Sequence, residues 1–240
     1  MDVNKGIENT LAAFGHAVEV GCTYLETDVH ATSDGMLVAF HDPILDRVTE
    51  SSGVIAAMPW HKVKQAKVGG EPIPTLDEIL DAFPEAFINI DIKHDGATMP
   101  LIDVLSRHQA WGRVCVGSFS SNRIRTFRRL IRERTATAVG PVGVGWAVVG
   151  PRSMQMAGSC GDAYQVPHRL TRYGAPLVTP TFIDAAHRLG RAVHVTVNEI
   201  SEARELMDMG VDGIVTDRPD LMCEFARVHQ PKEAPTLVPR

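Results

Sequence analysis

Residues 24–30 read Tyr-Leu-Glu-Thr-Asp-Val-His. In an extended strand, side chains alternate faces, so Glu26, Asp28 and His30 share one face and Leu25, Thr27 and Val29 the other. Two carboxylates about 7 Å apart along a strand are too costly to bury without a counter-charge. A hard divalent cation, Mg²⁺ or Ca²⁺, resolves that cost because it takes oxygen ligands. The plain alternative is an edge strand whose acids face solvent.

The next residues bear on that choice. Ser33-Asp34-Gly35 is a tight-turn signal, and Met36–His41 can run as an extended return segment. With Asp34-Gly35 as a two-residue hairpin loop, Ser33 pairs with Met36 and Asp28 falls opposite His41. Opposed residues point to one face, which would set an imidazole beside the carboxylates as general acid or base. A third acid stands in Phe87-Ile-Asn-Ile-Asp-Ile-Lys93. Asn89, Asp91 and Lys93 share one face, and Phe87 with the isoleucines suits a strand covered by helices. An Asp–Lys couple can supply one metal ligand and one ammonium for a phosphate oxygen, or can form a local salt bridge.

These segments belong to a chain that alternates short apolar strands with amphipathic helices, the pattern of parallel α/β proteins. The strands are expected at Tyr24–His30, Phe87–Lys93, Val114–Phe119, Ala136–Gly140, Ala163–Pro167, Ala192–Val197 and Gly213–Asp217. The helices are expected at Asn9–Val20, Leu76–Phe83, Met99–His108, Ser121–Glu133, Thr181–Leu189, Ser201–Met209 and Pro219–Val228. Thr75-Leu-Asp-Glu78 reads as a capping box, and Gly21, Gly190 and Gly210 follow helical stretches where a left-handed residue ends the helix. Seven strands and seven helices, helix first, make an eight-fold β/α barrel short of its first strand. Such barrels carry catalytic groups at the C-terminal ends of their strands. One domain over 1–229 and a disordered tail over 230–240 are expected.

The 240 residues carry a formal charge of −5 and 44% hydrophobic residues. That balance gives no reason to expect nucleic acid as a partner, and no apolar run approaches the roughly 20 residues of a membrane span. Cys22, Cys115, Cys160 and Cys223 form no CxxC pair, which argues against a zinc cage and suits reduced thiols in a cytoplasmic protein. The basic run Arg123–Arg134 reads as a solvated helix face. Ser118 and Asn198, near strand ends, could touch substrate or serve as structural hydrogen-bonding groups.

Seven segments stand in order: Glu8-Asn-Thr-Leu-Ala-Ala-Phe14, Leu25-Glu-Thr-Asp-Val29, Thr32-Ser-Asp-Gly35, Phe40-His-Asp42, Pro74-Thr-Leu76, Asn89-Ile-Asp-Ile-Lys93 and Asp212-Gly-Ile-Val-Thr-Asp217. Over about nine-tenths of the chain, this series resembles the glycerophosphodiester phosphodiesterase family. The resemblance implies a (β/α)8 TIM barrel that uses Mg²⁺ or Ca²⁺ to hydrolyse small glycerophosphodiesters to an alcohol and glycerol 3-phosphate. It also implies Glu26, Asp28 and Asp91 as metal ligands, His41 as one of two acid/base histidines, and Lys93 at the phosphate.

Three departures accompany it. The family opens with a strand ending in His-Arg-Gly, whereas the seven residues before Glu8 hold no histidine or arginine. Either the start lies downstream of the true one, or the barrel is incomplete and is a weak enzyme or a binder of phosphate compounds or a protein partner. The family places a tryptophan before Thr-Val-Asn; at Val195-Thr-Val-Asn198 it is replaced or one residue is deleted, which leaves the preferred alcohol open. Asp91 stands where the family has glutamate.

Overall fold

Thr27 and Asp28 sit in a strand because the β-branched Thr27 and Val29 favour extended backbone, and from Thr27 onward the strand is buried on both faces. The computed structural model describes residues 4–150, 152–154, 161–169 and 176–228. The expected tail over 230–240 lies outside them. The chain divides into two compact units, residues 1–135 and 136–240.

In the first unit the order is α1 (Leu11–Glu19), β1 (Tyr24–Ala31), β2 (Leu37–Ala39), α2 (Trp60–Val63), β3 (Lys67–Val68), β4 (Glu71–Pro72), α3 (Leu76–Ala82), β5 (Phe87–Ile92), α4 (Thr98–Arg107), β6 (Val114–Gly117) and α5 (Ser121–Leu130). No strand precedes α1 among the described residues. Strand β1 lies between β2, which runs antiparallel to it, and β5, which runs parallel; β6 follows β5 in parallel. Ile88, Ile90 and Ile92 point to one side, where Leu25, Val29, Leu76, Ile79, Leu101 and Leu105 complete the core. Each fully buried side chain of this kind contributes about 1.5–3 kcal/mol. The expected capping box is present: the Glu78 amide donates to the Thr75 hydroxyl, and the Glu78 carboxylate accepts from the Thr75 amide. Residues 42–73, to which no element was assigned from sequence, close a small core in which Phe40, Leu45, Ile55, Val63, Val68 and Ile73 pack together.

The hairpin differs from expectation by one residue. His30 pairs with Val38 and Val29 with Ala39, so the loop has three residues, Ser33, Asp34 and Gly35. A two-residue loop of the expected type needs positive φ at both central positions. Only Gly35 supplies it (φ 86°), while Asp34 is not among the residues with positive φ. In the true register Phe40 lies opposite Asp28, its amide donating to the Asp28 carbonyl at 2.9 Å. His41 comes one residue later, and its side chain is half exposed.

The second unit holds β7 (Ala136–Thr137), α6 (Pro141–Val149), β8 (Ala163–Pro167), α7 (Pro180–Arg188), β9 (Ala192–Thr196), α8 (Ile200–Met209), β10 (Gly213–Val215) and α9 (Pro219–Val228). Its strands β8, β9 and β10 are parallel neighbours in chain order, over a core that includes Tyr164, Phe182, Ile183, Val193, Val195 and Leu206. Helix α8 ends at Gly210 with φ 98°, the left-handed stop read from sequence. Helix α6 was not anticipated, because Pro-Val-Gly-Val-Gly-Trp-Ala-Val-Val carries no amphipathic period.

No helix among the described residues is long and apolar enough to cross a membrane. Cys115 is buried and forms no disulfide, as expected. Cys22 and Cys223 are not free, which corrects the expectation for those two, and Cys160 lies outside the described residues.

Candidate active site

Parallel pairing of β1 with β5 sets Glu26 beside Asn89 and Asp28 beside Asp91. Two carboxylates therefore face each other across adjacent strands, both buried. Directly opposed like charges destabilise a sheet, and the charge that offsets them comes from the next turn of chain. Lys93 follows the end of β5 and places its Nζ 2.8 Å from Asp28 Oδ1 and 2.9 Å from Asp91 Oδ2. Burial pushes the Asp91 carboxyl above the usual carboxylate range, against the pull of Lys93. Burial also works to lower Lys93, but Asp28 and then Asp91 outweigh it and hold the ammonium above its ordinary value. The exposed ring of Phe119 has its centroid 5.3 Å from the same Nζ.

Asp28 is oriented by Asn9. The Asn9 amide nitrogen donates to Asp28 Oδ2 at 3.2 Å, while its oxygen accepts from the Asp28 amide at 3.2 Å and the Thr27 hydroxyl at 2.7 Å. Asn9 adopts φ 58° to do this, a left-handed conformation that asparagine tolerates better than most residues. Asn9 stands inside the Glu8–Phe14 motif, where nothing local marks its role. Asp42, Arg47 and Glu8, not among the sequence candidates, form a chain ending at His41: His41 Nδ1 lies 2.6 Å from Asp42, Asp42 accepts from Arg47, and Arg47 donates to Glu8. The Phe40-His-Asp42 motif was the available signal for Asp42, while nothing in sequence joins Arg47 to Glu8.

The remaining sequence candidates fall as follows. Asp28, Asp91 and Lys93 meet directly. Glu26 shares their face two residues earlier and is exposed. His30 is buried, its ring held below the ordinary histidine range by that burial, and its Nε2 donates to the His41 carbonyl at 3.2 Å. Ser118 takes the structural option, donating to the Ile92 carbonyl at 2.6 Å. Asn198 does likewise at Thr216 and Asp217. Arg123, read as part of a solvated face, instead turns inward and donates to the Ile92 carbonyl and Ser118 at 2.7 Å each.

As the side chains stand, no group of three or more His, Cys, Asp or Glu among the described residues could hold a metal ion, and the Lys93 ammonium pairs with both buried carboxylates. The donor chemistry still fits a hard cation. Asp91 Oδ1 is buried and has no hydrogen-bond partner, a state that costs free energy unless a ligand satisfies it, and oxygen donors are what Mg²⁺ and Ca²⁺ take.

The sequence model of the glycerophosphoryl diester phosphodiesterase family matches residues 3–221. The chain belongs to that family. It is thereby an enzyme of the phosphoric diester hydrolase type. A relative in Mycobacterium tuberculosis, a probable glycerophosphodiester phosphodiesterase, is 39% identical over 225 residues, covering 89% of this chain and 83% of its own. Among solved structures, a phosphodiesterase of Oleispira antarctica in complex with the product sn-glycerol-3-phosphate superposes with a TM-score of 0.78 at 22% identity, covering 94% of each chain. A glycerophosphodiester phosphodiesterase from Agrobacterium tumefaciens gives 0.77 at 22% identity, covering 94% of this chain and 96% of its own. These likenesses show the fold, the α/β architecture of the (β/α)8 barrel class.

Proposed function

We propose that the protein hydrolyses glycerophosphodiesters to an alcohol and glycerol 3-phosphate, with Glu26, Asp28 and Asp91 as the residues that hold a divalent cation. The observation that carries this reading is the Asp28–Lys93–Asp91 arrangement, with its unpartnered buried oxygen, inside a chain of the phosphodiesterase family. Bound there, Mg²⁺ or Ca²⁺ would polarise the phosphoryl oxygen and offset charge that develops on it. Lys93, whose ammonium bonds both Asp28 and Asp91, is assigned a non-bridging phosphate oxygen. In the reaction a water oxygen bonds to phosphorus, the bond from phosphorus to the alcohol oxygen breaks, and a proton passes from the water side to the alcohol. His41 is assigned one of those proton transfers, and a group in this role is worth about 10²–10⁴ in rate.

The choice between cations is not made by three carboxylates, so both are to be tried. The test is release of glycerol 3-phosphate from glycerophosphocholine by the full chain, with chelator and then with Mg²⁺ or Ca²⁺ restored. Release that stops with chelator and returns with cation supports the reading. A chain that binds glycerol 3-phosphate but turns over neither this diester nor a lysophospholipid is a binding protein, and the catalytic reading then fails.

A further inference from the structure

The proton transfer assigned to His41 raises the question of what holds its ring. His41 Nδ1 lies 2.6 Å from Asp42 Oδ1, and an ionised carboxylate only accepts, so Nδ1 carries the hydrogen and Nε2 is the nitrogen that exchanges a proton. Asp42 is itself fixed. Arg47 donates from Nε to Oδ2 and from Nη2 to Oδ1, the latter at 3.3 Å, the planar fork that suits a carboxylate. The far side of the same guanidinium is taken by Glu8, with Nη2 donating to Oε1 and Nη1 to Oε2 at 3.3 Å. Arg47 bonding keeps Asp42 below the usual carboxylate range and therefore ionised. The His41 backbone is held from below by His30 Nε2 at its carbonyl.

Exposed ion pairs contribute little to stability. His41, Arg47 and Glu8 have side chains 54%, 48% and 40% exposed. With its outer members at that exposure and only Asp42 sheltered, the four-residue chain does little for the fold, but it does fix a direction for one imidazole. Glu8 precedes Asn9, the residue that orients Asp28, so a single turn of chain anchors both the carboxylate and the histidine.

We propose that Asp42 is a positioning residue for His41, held in turn by Arg47 and Glu8, and that it fixes which ring nitrogen of His41 exchanges the proton. This rests on the reading of His41 as a proton-transfer group. The test is a double-mutant cycle in the full chain with Mg²⁺ or Ca²⁺ present. His41→Gln is expected to lower kcat by about 100-fold or more. Asp42→Asn should lower it by about 10- to 100-fold with KM changed less than about threefold, and Asp42→Glu should recover most of the loss. In the double variant the two losses should not multiply, because Asp42 acts through His41. Ring ¹⁵N shifts of His41 should show one tautomer, Nδ1–H, in the parent and a mixture in Asp42→Asn. Multiplying losses, or an unchanged tautomer in Asp42→Asn, would overturn the positioning role while leaving His41 itself in place. A His41→Gln variant within about threefold of the parent in kcat would instead remove the reading beneath it, and the positioning role with it.

Discussion

Among the described residues asparagine clasps a Thr-Asp pair twice, once within β1 and once just past the end of β10. In the first unit Asn9 accepts from the Thr27 hydroxyl and the Asp28 amide and donates to Asp28 Oδ2. In the second, Asn198 accepts from the Thr216 hydroxyl at 2.9 Å and the Asp217 amide at 2.8 Å and donates to Asp217 Oδ2 at 2.9 Å. The hydrogen bonds correspond one for one, yet the surroundings differ. Asp28 is 6% exposed, opposite Asp91 and bonded to Lys93, whereas Asp217 lies exposed. A clasp orients a carboxylate; it is burial against a second carboxylate and an ammonium that gives the oriented group something to bind or react with.

The largest contrast should appear on removing the two carboxylates. Asp28→Asn should lower glycerol 3-phosphate release by on the order of 10²–10³-fold, the range typical for one charge-stabilising group, and Asp217→Asn should stay within about threefold. Equal losses in the two would show that the clasp rather than its surroundings makes the site. Next comes Lys93→Met, which leaves two facing carboxylates buried without their counter-charge and should cost about 3 kcal/mol of stability in denaturant unfolding at neutral pH. The folded-state pKa of Lys93 is raised, so its contribution is complete below the unfolded value and is lost as pH rises through the folded one. Asp91 is also raised, and a raised acid favours the folded state when protonated. The deficit of Lys93→Met should therefore shrink as pH falls through the carboxylate range; a deficit that widens there would contradict the pairing.

The clasps themselves give the smaller effects. Asn9→Ala should weaken cation binding by about 10- to 100-fold, as loss of a residue that orients a ligand does, measured by thermal shift against added Mg²⁺ or Ca²⁺. Asn198→Ala should cost only about 1 kcal/mol of stability, with cation response unchanged.

How much of this was legible in sequence follows from how local each signal is. The pairing that sets Asp28 beside Asp91 is a contact between segments distant in sequence. Alternation in Tyr24–His30 and Phe87–Lys93 was enough to put Glu26 with Asp28, and Asp91 with Lys93, on one face of each strand, because a period of two leaves no choice of face. The parallel α/β order was legible for the same reason: all seven expected strands and seven expected helices are present, with ends shifted by a few residues. The hairpin register was not, since it turned on whether one residue or two took positive φ at Asp34-Gly35. Asn9 was hidden because its role depends on a left-handed backbone and a partner 19 residues away. Arg47 reaches Glu8 across 39 residues, and no local pattern encodes such a contact. Helix α6 was hidden by its lack of a polar face.

The comparison between the two clasps reduces to a binding measurement. Isothermal titration of Mg²⁺ and Ca²⁺ into the parent chain, Asp28→Asn and Asp217→Asn should give one site in the parent, that site lost in Asp28→Asn, and the parent's affinity in Asp217→Asn. Undiminished cation binding in Asp28→Asn would contradict the assignment of the metal to the buried carboxylates of the first unit.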